Sequence, residues 1–255
     1  MNFATIRFYS ELNDFLPKEQ RQLNFDHYFN GNPTVKELIE SLGVPHTEID
    51  LILIDGVSAD FTKQLNGGER ISVYPAFKSF DISPLTLVAP EPLSEIRFVL
   101  DVHLGKLASY LRMAGFDSLY SNSVSDEELA DCSASERRIL LTFDRELLKR
   151  KNVIYGYSVR SRDPKEQLAE VLNHFGLLNS LRPFSRCMMC NGVLEKVPKA
   201  EVYPFLPLKV REYPDEFTRC KGCSRIYWKG THYERMNKFL QQLKEHAKPE
   251  KAIAH

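Results

Sequence analysis

The chain has 255 residues, 43% of them hydrophobic and 27% charged, and its 34 basic side chains balance 34 acidic ones, which excludes collagen-like, low-complexity and disordered proteins. The length allows two domains of common size, each with its own core. No apolar run approaches the roughly 20 residues needed to span a bilayer, and no leader-like segment opens the chain, so we expect a cytoplasmic protein that does not contact membranes.

Residues 1–80 predict a β-grasp, or ubiquitin-like, domain. The order strand, strand, helix, strand, strand is indicated by ATIRFYS, RQLNF with its neighbours, TVKELIESLG, LILIDG and RISVYP. Thr34 is placed to cap the helix and Gly43 to end it. LNDFLP, the helix, LILIDGVSADFTKQL and GGERISVYPAF resemble the sulfur-carrier branch of the fold, which serves thiamine and molybdopterin synthesis.

The likeness to sulfur carriers does not extend to their chemistry. A carrier is activated at a free carboxyl-terminal Gly-Gly, whereas the Gly-Gly of this chain, Gly67 and Gly68, is internal. We therefore interpret the domain as a binding or scaffolding module for a protein partner. Residues 81–95, which contain Pro84, Pro90 and Pro92, predict a linker to the next domain because prolines stiffen such segments.

Residues 96–181 predict an α/β domain in which strands and helices alternate. The strand patterns are IRFVLD, FDSLY, ILLTF and NVIYGYS, and the helical patterns are HLGKLASYLRMAG, DEELADCSASERR, RELLKR and PKEQLAEVLNHFG. Such alternation is typical of a parallel, doubly wound sheet. No glycine-rich phosphate loop follows any of these strands, so dinucleotide and P-loop nucleotide binding have no support.

Three aspartates stand where a strand ends or the next helix begins. Asp101 ends the first strand, Asp126 begins the helix after the second, and Asp144 ends the third. In an open α/β sheet the active crevice lies at this edge, and clustered carboxylates there favour Mg²⁺ or Mn²⁺. The same positions also suit helix N-caps, which need no metal. The residue pattern leaves both interpretations open.

Two C-x-x-C pairs predict a zinc ribbon over residues 182–240, followed by a tail at 241–255. Twenty-nine residues separate the pairs, and the predicted ligands are Cys187, Cys190, Cys220 and Cys223. Four thiolates in two tight turns are typical of tetrahedral, structural zinc. Cys132 is left over and is expected to be a small core residue of a helix.

Positive charge is concentrated at the carboxyl-terminal end. Residues 182–255 carry 15 basic and 8 acidic side chains, whereas residues 1–90 carry 7 and 12. Phosphate neutralisation by Lys and Arg drives nucleic-acid affinity, and aromatic rings stack on bases. The RNA-binding candidates in the ribbon are Lys221, Arg225, Lys229 and Tyr233. A solvated surface of mixed charge is the alternative.

Longer sequence motifs extend over the predicted α/β domain and the predicted zinc ribbon. The runs FVLDVHLGKLASYLRMAGFDSLY and SDEELADCSASERRILLTFDREL, the cysteine pairs and YWKGTHYERM resemble the Mut-seven C-terminal ribonuclease domain family, a PIN nuclease branch with a zinc ribbon. The resemblance spans about residues 96–236, and its fusion to a sulfur-carrier-like domain resembles a known bacterial arrangement. It implies a PIN-like ribonuclease in which Asp101, Asp126 and Asp144 hold catalytic Mg²⁺ or Mn²⁺.

The resemblance also adds secondary candidates. Asp117 matches a Gly-x-Asp motif, and Lys106 and Arg112 lie on the helix after the first strand, where they are candidates for catalysis or substrate binding. The family usually has Thr-Arg-Asp where this chain has Thr142, Phe143 and Asp144. The chain therefore lacks the arginine that the family places near the phosphate of the RNA substrate.

Three functions therefore follow from the sequence. The first is a metal-dependent ribonuclease whose zinc ribbon assists RNA binding. The second is a non-catalytic RNA-binding adaptor in which the aspartates act as caps. The third is a docking module linked to sulfur-carrier metabolism through the β-grasp domain.

Overall fold

The computed structural model describes residues 1–77, 81–212 and 215–246. It confirms the predicted fold classes, which are an amino-terminal β-grasp sheet, parallel α/β strands and a carboxyl-terminal cysteine cluster consistent with a zinc ribbon. Over these residues, no helix is long and apolar enough to cross a membrane.

Backbone contacts group the described residues into two compact units. Unit 1 is Met1–Glu95 with Ser125–Ser158, and unit 2 is Ile96–Val124 with the described residues of Val159–His255. The division passes through the α/β segment, so each unit contains part of it. The domain limits inferred from the sequence stay predictions.

Unit 1 begins with a five-stranded mixed sheet around helix α1. In chain order the elements are β1 (Asn2–Phe8), β2 (Phe25–Phe29), α1 (Val35–Ser41), β3 (Leu51–Ile54), β4 (Val57–Ser58) and β5 (Arg70–Tyr74). The strand order is β2-β1-β5-β3-β4, with β1 and β5 parallel and the other neighbours antiparallel. Thr34 and Glu37 form the capping box of α1, and Leu38 and Ile39 join the core.

Left-handed backbone at two turns explains two details of this sheet. Strand β2 begins at Phe25, later than predicted, because Gln22 has a φ of 59° and turns the chain before it. Gly67 and Gly68 have φ values of 105° and 92° and form the turn that leads into β5. Most side chains disfavour these angles, so the internal Gly-Gly has a conformational role here.

The predicted linker at 81–95 packs within unit 1. It contains no helix or strand over its described length. Val88 is buried with the β-grasp core, and the Thr86 hydroxyl donates to the Asp50 carbonyl. The Tyr155 hydroxyl donates to the Glu91 carbonyl at 2.7 Å. The segment is therefore tied to its neighbours by both apolar and polar contacts.

The α/β elements follow the predicted alternation. Unit 2 contains β6 (Arg97–Leu100), α2 (Gly105–Ala114), β7 (Asp117–Tyr120) and α5 (Pro164–His174). Unit 1 contains α3 (Asp126–Glu136), β8 (Ile139–Thr142), α4 (Arg145–Leu148) and β9 (Gly156–Ser158). Strands β6 and β7 pair in parallel, as do β8 and β9. Strand β9 is shorter than NVIYGYS because the Val153 N–H bonds back to the Arg150 carbonyl and closes a turn.

The carboxyl-terminal part of unit 2 is a small antiparallel sheet flanked by helices. Its elements are β10 (Leu194–Val197), α6 (Lys199–Val202), β11 (Phe217–Cys220), β12 (Ile226–Trp228) and α7 (Thr231–His246). Val202, Leu206 and Phe217 form its apolar core. Of the predicted tail, residues 241–246 continue α7, and residues 247–255 lie outside the described residues.

Candidate functional site

The four cysteines of the two C-x-x-C pairs come together. Their Sγ atoms all lie within 4.8 Å of one another, and they form the one such group of His, Cys, Asp or Glu found in the described part of the chain. The Cys187–Cys223 and Cys190–Cys220 separations are 3.6 and 3.3 Å. A tetrahedral zinc with bonds of about 2.3 Å places its sulfurs about 3.8 Å apart. The cluster could therefore hold a metal such as zinc.

Local donors favour the thiolate form of Cys187. Burial raises the pKa of this thiol, but hydrogen bonds from the Tyr227 hydroxyl and from the N–H groups of Cys190 and Met189 lower the pKa to about 6. The Tyr227 oxygen lies 3.1 Å from the Cys187 sulfur. The thiolate is the metal-binding form of cysteine, so this environment suits a ligand.

Glycine is required next to the cluster. A Cβ on Gly192 would lie 2.8 Å from the Cys220 sulfur, closer than van der Waals contact allows. The adjacent Asn191 has a φ of 69°, which asparagine tolerates better than most residues. The tight turn around the clustered sulfurs therefore requires glycine at 192 and favours asparagine at 191.

Arg112 joins helix α2 to the first cysteine pair. Its side chain is 5% exposed, and its Nη1 donates to the carbonyls of Met188 at 3.1 Å and Met189 at 2.9 Å. Its Nε donates to the Ser118 carbonyl at 2.9 Å. Burial lowers the pKa of Arg112, while the negative charge of Cys187, Cys190 and Asp117 raises it. The guanidinium thus lies inside unit 2, between the α/β elements and the cysteine cluster.

Asp117 belongs to the same junction. Its Oδ1 accepts from the Asn191 Nδ2 at 2.8 Å, and its Oδ2 lies 3.2 Å from the Arg186 Nη2. The Ser118 N–H donates to the Asn191 Oδ1 at 3.1 Å. Sequence reasoning did not identify Asn191 or Arg186, although an Asn directly after a C-x-x-C pair was an available signal. We propose that Asp117 and Arg112 hold the cysteine cluster in place, and that neither contacts substrate.

We expect Arg112→Met to lower the free energy of unfolding by about 3 kcal/mol, because three carbonyl acceptors lose a buried, charged donor. Denaturant titration measures this change. Lys106→Met, at an exposed position on the same helix, is the matched control and should change stability by less than about 0.5 kcal/mol. Weaker RNA binding at unchanged stability would instead assign Arg112 to substrate.

Two of the three aspartates occupy N-cap positions. Asp101 is 7% exposed at the end of β6, and its Oδ1 accepts from the His103 N–H at 2.9 Å. Asp144 is exposed before α4, and its Oδ1 accepts from the Glu146 N–H at 2.8 Å. Both side chains therefore cap the turns that follow them, as the capping interpretation predicts. A cap bond to one carboxylate oxygen does not by itself exclude a bound cation, so the metal role of these aspartates stays a prediction.

Asp126 is exposed in the first turn of α3, where Ser125 and Glu128 form the capping box. It lies in unit 1 with Asp144, whereas Asp101 lies in unit 2. Convergence of the three carboxylates on one metal site stays a prediction.

The turn after Asp101 explains a glycine of the family motif. The Tyr120 hydroxyl donates to the Val102 carbonyl at 2.9 Å. A Cβ on Gly105 would lie 2.6 Å from that hydroxyl oxygen, so only glycine permits this approach. Lys106, the next residue, is exposed at the start of α2, one turn after Asp101.

The RNA-binding candidates lie around a groove on the ribbon. This ribbon groove has a volume of about 890 Å³, and its lining includes Arg225, Trp228, Lys229 and Tyr233. Trp228 also packs against the ribbon core. Lys221 does not line the groove and pairs with Glu195 at 2.6 Å. Three of the four candidates therefore share one surface.

Comparison with known families agrees with this architecture. A model described as the Mut7-C RNAse domain matches residues 96–240, and one described as Mut7-C ubiquitin matches residues 1–81. The first span contains the three aspartates, the four cysteines and the ribbon groove. Searches of curated proteins and of solved structures gave no match.

Proposed function

The chain belongs to the Mut7-C RNAse domain family, fused to a Mut7-C ubiquitin domain, and we propose that it is a divalent-metal-dependent ribonuclease that hydrolyses RNA phosphodiester bonds. Membership supports a nuclease or RNA-related function. The family match over residues 96–240 is the observation that carries the proposal. Metal dependence and the roles of individual residues are the further steps that we propose.

Carboxylates supply the proposed catalytic site. Asp101, Asp126 and Asp144 would hold Mg²⁺ or Mn²⁺, since hard divalent cations prefer oxygen ligands. A bound cation of this kind lowers the pKa of water and stabilises charge on a scissile phosphate. The cap bond of Asp101 orients its carboxylate at the end of β6. Lys106, exposed at the start of α2, is suited to binding a substrate phosphate.

The zinc ribbon and the β-grasp domain would have supporting roles in this function. Zinc bound by four thiolates has no open position for water, so we propose a structural role for the cysteine cluster. Lys221, Arg225, Lys229 and Tyr233 would contribute to RNA binding by the ribbon. The β-grasp domain would bind a protein partner, and the proposed location is the cytoplasm.

The test is cleavage of end-labelled RNA by the zinc-loaded chain in Mn²⁺, in Mg²⁺ and in EDTA. We expect cleavage with either cation and none in EDTA, with activity restored by adding Mg²⁺ back. Zinc content is measured in each sample, because EDTA can also remove structural zinc. RNA binding without cleavage in either cation, by a folded and zinc-loaded chain, would favour the adaptor.

A further inference from the structure

We propose that the ribbon groove is a nucleobase-binding site, which stacks unpaired bases of RNA against its aromatic side chains and holds the adjoining phosphates with Arg225 and Lys196. The site lies in unit 2 and rests on the proposed function, because the bases would belong to the RNA that the chain cleaves. Its occupant is a single-stranded stretch of RNA.

Aromatic rings from the segment before β10, from β12 and from α7 line this groove. The rings of Phe184 and Tyr233 lie 4.3 Å apart between centroids. Tyr227 and Trp228 are adjacent on β12, and both are half-buried groove residues. The Tyr227 hydroxyl is held by the Cys187 sulfur, which restrains the ring. Partly exposed, restrained rings are the surfaces on which single-stranded bases stack.

The strand register places basic and aromatic groups on one face. Lys196 pairs in register with Thr218, which pairs with Tyr227. Because neighbouring residues of a strand point to opposite faces, Lys196, Thr218 and Tyr227 share one face, and all three line the groove. Trp228 pairs with Phe217, so both lie on the opposite face with Arg219, and the groove lining includes Trp228 and Phe217 but not Arg219.

The charge of the groove suits phosphate. Its two acidic residues are neutralised: Asp215 lies 3.4 Å from Lys199, and Glu216 lies 2.6 Å from Lys229. Among the described residues, neither Arg225 nor Lys196 forms a close ion pair, although Lys196 also contributes, after Lys229, to lowering the pKa of Glu216. The groove therefore has an excess of positive charge next to its rings, which favours a polyanion with flat apolar groups over an acidic peptide.

The size and the shape of the groove select unpaired bases. A volume of about 890 Å³ is in the range of small-ligand sites and leaves room for a base with its sugar. In duplex RNA the base faces are stacked and the major groove is too narrow for side chains. Bases can reach the rings of the ribbon groove only when they are unpaired.

The test uses the single tryptophan of the chain as its reporter. Trp228 lines the groove, so a stacked base should quench its fluorescence. Zinc-loaded chain carrying Asp101→Asn, which keeps the RNA intact, is titrated with a single strand of about ten nucleotides and with the same strand annealed to its complement. We expect quenching and at least about tenfold tighter binding of the single strand.

Substitutions separate stacking from charge. Tyr233→Ala and Arg225→Ala should each weaken binding about tenfold, and Tyr233→Phe, which keeps the ring, should bind like the parent. Arg219→Ala is the matched control, because Arg219 is a ribbon arginine that does not line the groove and pairs with Glu201 at 3.4 Å. Thermal melts verify that each variant is folded.

The outcomes distinguish this site from the nuclease proposal. Any of three results would overturn the base site. The chain could bind single strand and duplex with equal affinity, or Arg225→Ala and Arg219→Ala could have equal effects on binding. The third is that a poly-glutamate peptide displaces RNA while RNA itself does not quench Trp228 fluorescence. If the groove variants lose single-strand binding while the unsubstituted chain cleaves nothing, the base site stands and the nuclease fails. If cleavage is normal and insensitive to the groove variants, the base site fails alone.

Discussion

Asp101→Asn is expected to lower the rate of RNA cleavage by about 10³-fold or more while the chain stays folded. A carboxylate that holds a catalytic cation supports several kcal/mol of transition-state stabilisation, and each 1.36 kcal/mol corresponds to a factor of ten. Asparagine keeps the Oδ1 that accepts from the His103 N–H, and it caps helices as well as aspartate does. Single-turnover cleavage in Mn²⁺ and Mg²⁺ measures the effect.

A second cap aspartate in unit 2 provides the control. Asp163 caps α5, and its Oδ1 accepts from the N–H groups of Lys165 and Glu166. Asp163→Asn makes the same chemical change at a cap for which we propose no metal ligand, so its cleavage rate should match the parent. If both variants lost activity equally, or if Asp101→Asn cleaved at the parent rate, the catalytic role of Asp101 would be rejected.

Cys220→Ser is expected to abolish zinc binding and to unfold the ribbon. Cys220 is 2% exposed and its sulfur lies among the other three, and structural zinc in small fingers contributes about 10–16 kcal/mol to folding at neutral pH. The sheet of β10, β11 and β12 has only a small apolar core of its own, so we expect its folding to depend on a bound metal. Zinc per chain and protease cleavage within residues 187–228 are the measurements.

Cys132 supplies the matched substitution. It lies on α3, is half-buried rather than a core residue, and is not one of the four clustered cysteines. Cys132→Ser should keep one zinc per chain and the protease resistance of the parent. A Cys220→Ser chain with full zinc content would show that the four sulfurs are not the metal site.

The features that could be predicted depend on residues that lie close together in the sequence. The two C-x-x-C pairs, the cap at Thr34 and the alternation of strand and helix are patterns within a few residues, and local physical chemistry decides them. The structure confirms each of them. The caps formed by Asp101 and Asp144 were also open to prediction, because a cap bond spans only two residues.

The contacts of Arg112 and Asp117 could not be predicted from local sequence patterns. Both match a nuclease motif, and both were candidates for substrate contact, yet Arg112 bonds to residues 76 and 77 positions further along the chain. Asp117 meets Asn191 across 74 positions. Contacts at such separation arise only after the ribbon packs on the α/β elements, and no spacing within one segment encodes them.

The sequence by itself determined the family, the fold classes, the four clustered cysteines and the positions of the carboxylates at strand ends, since these depend on local periodicity and on residue chemistry. Only the tertiary structure decided that Arg112 is buried against the first cysteine pair and that the turn formed by Gly67 and Gly68 leads into β5. It also decided that Arg225 and Tyr233 share a groove with Trp228 while Lys221 does not. These properties depend on which surfaces meet when the chain buries its apolar side chains.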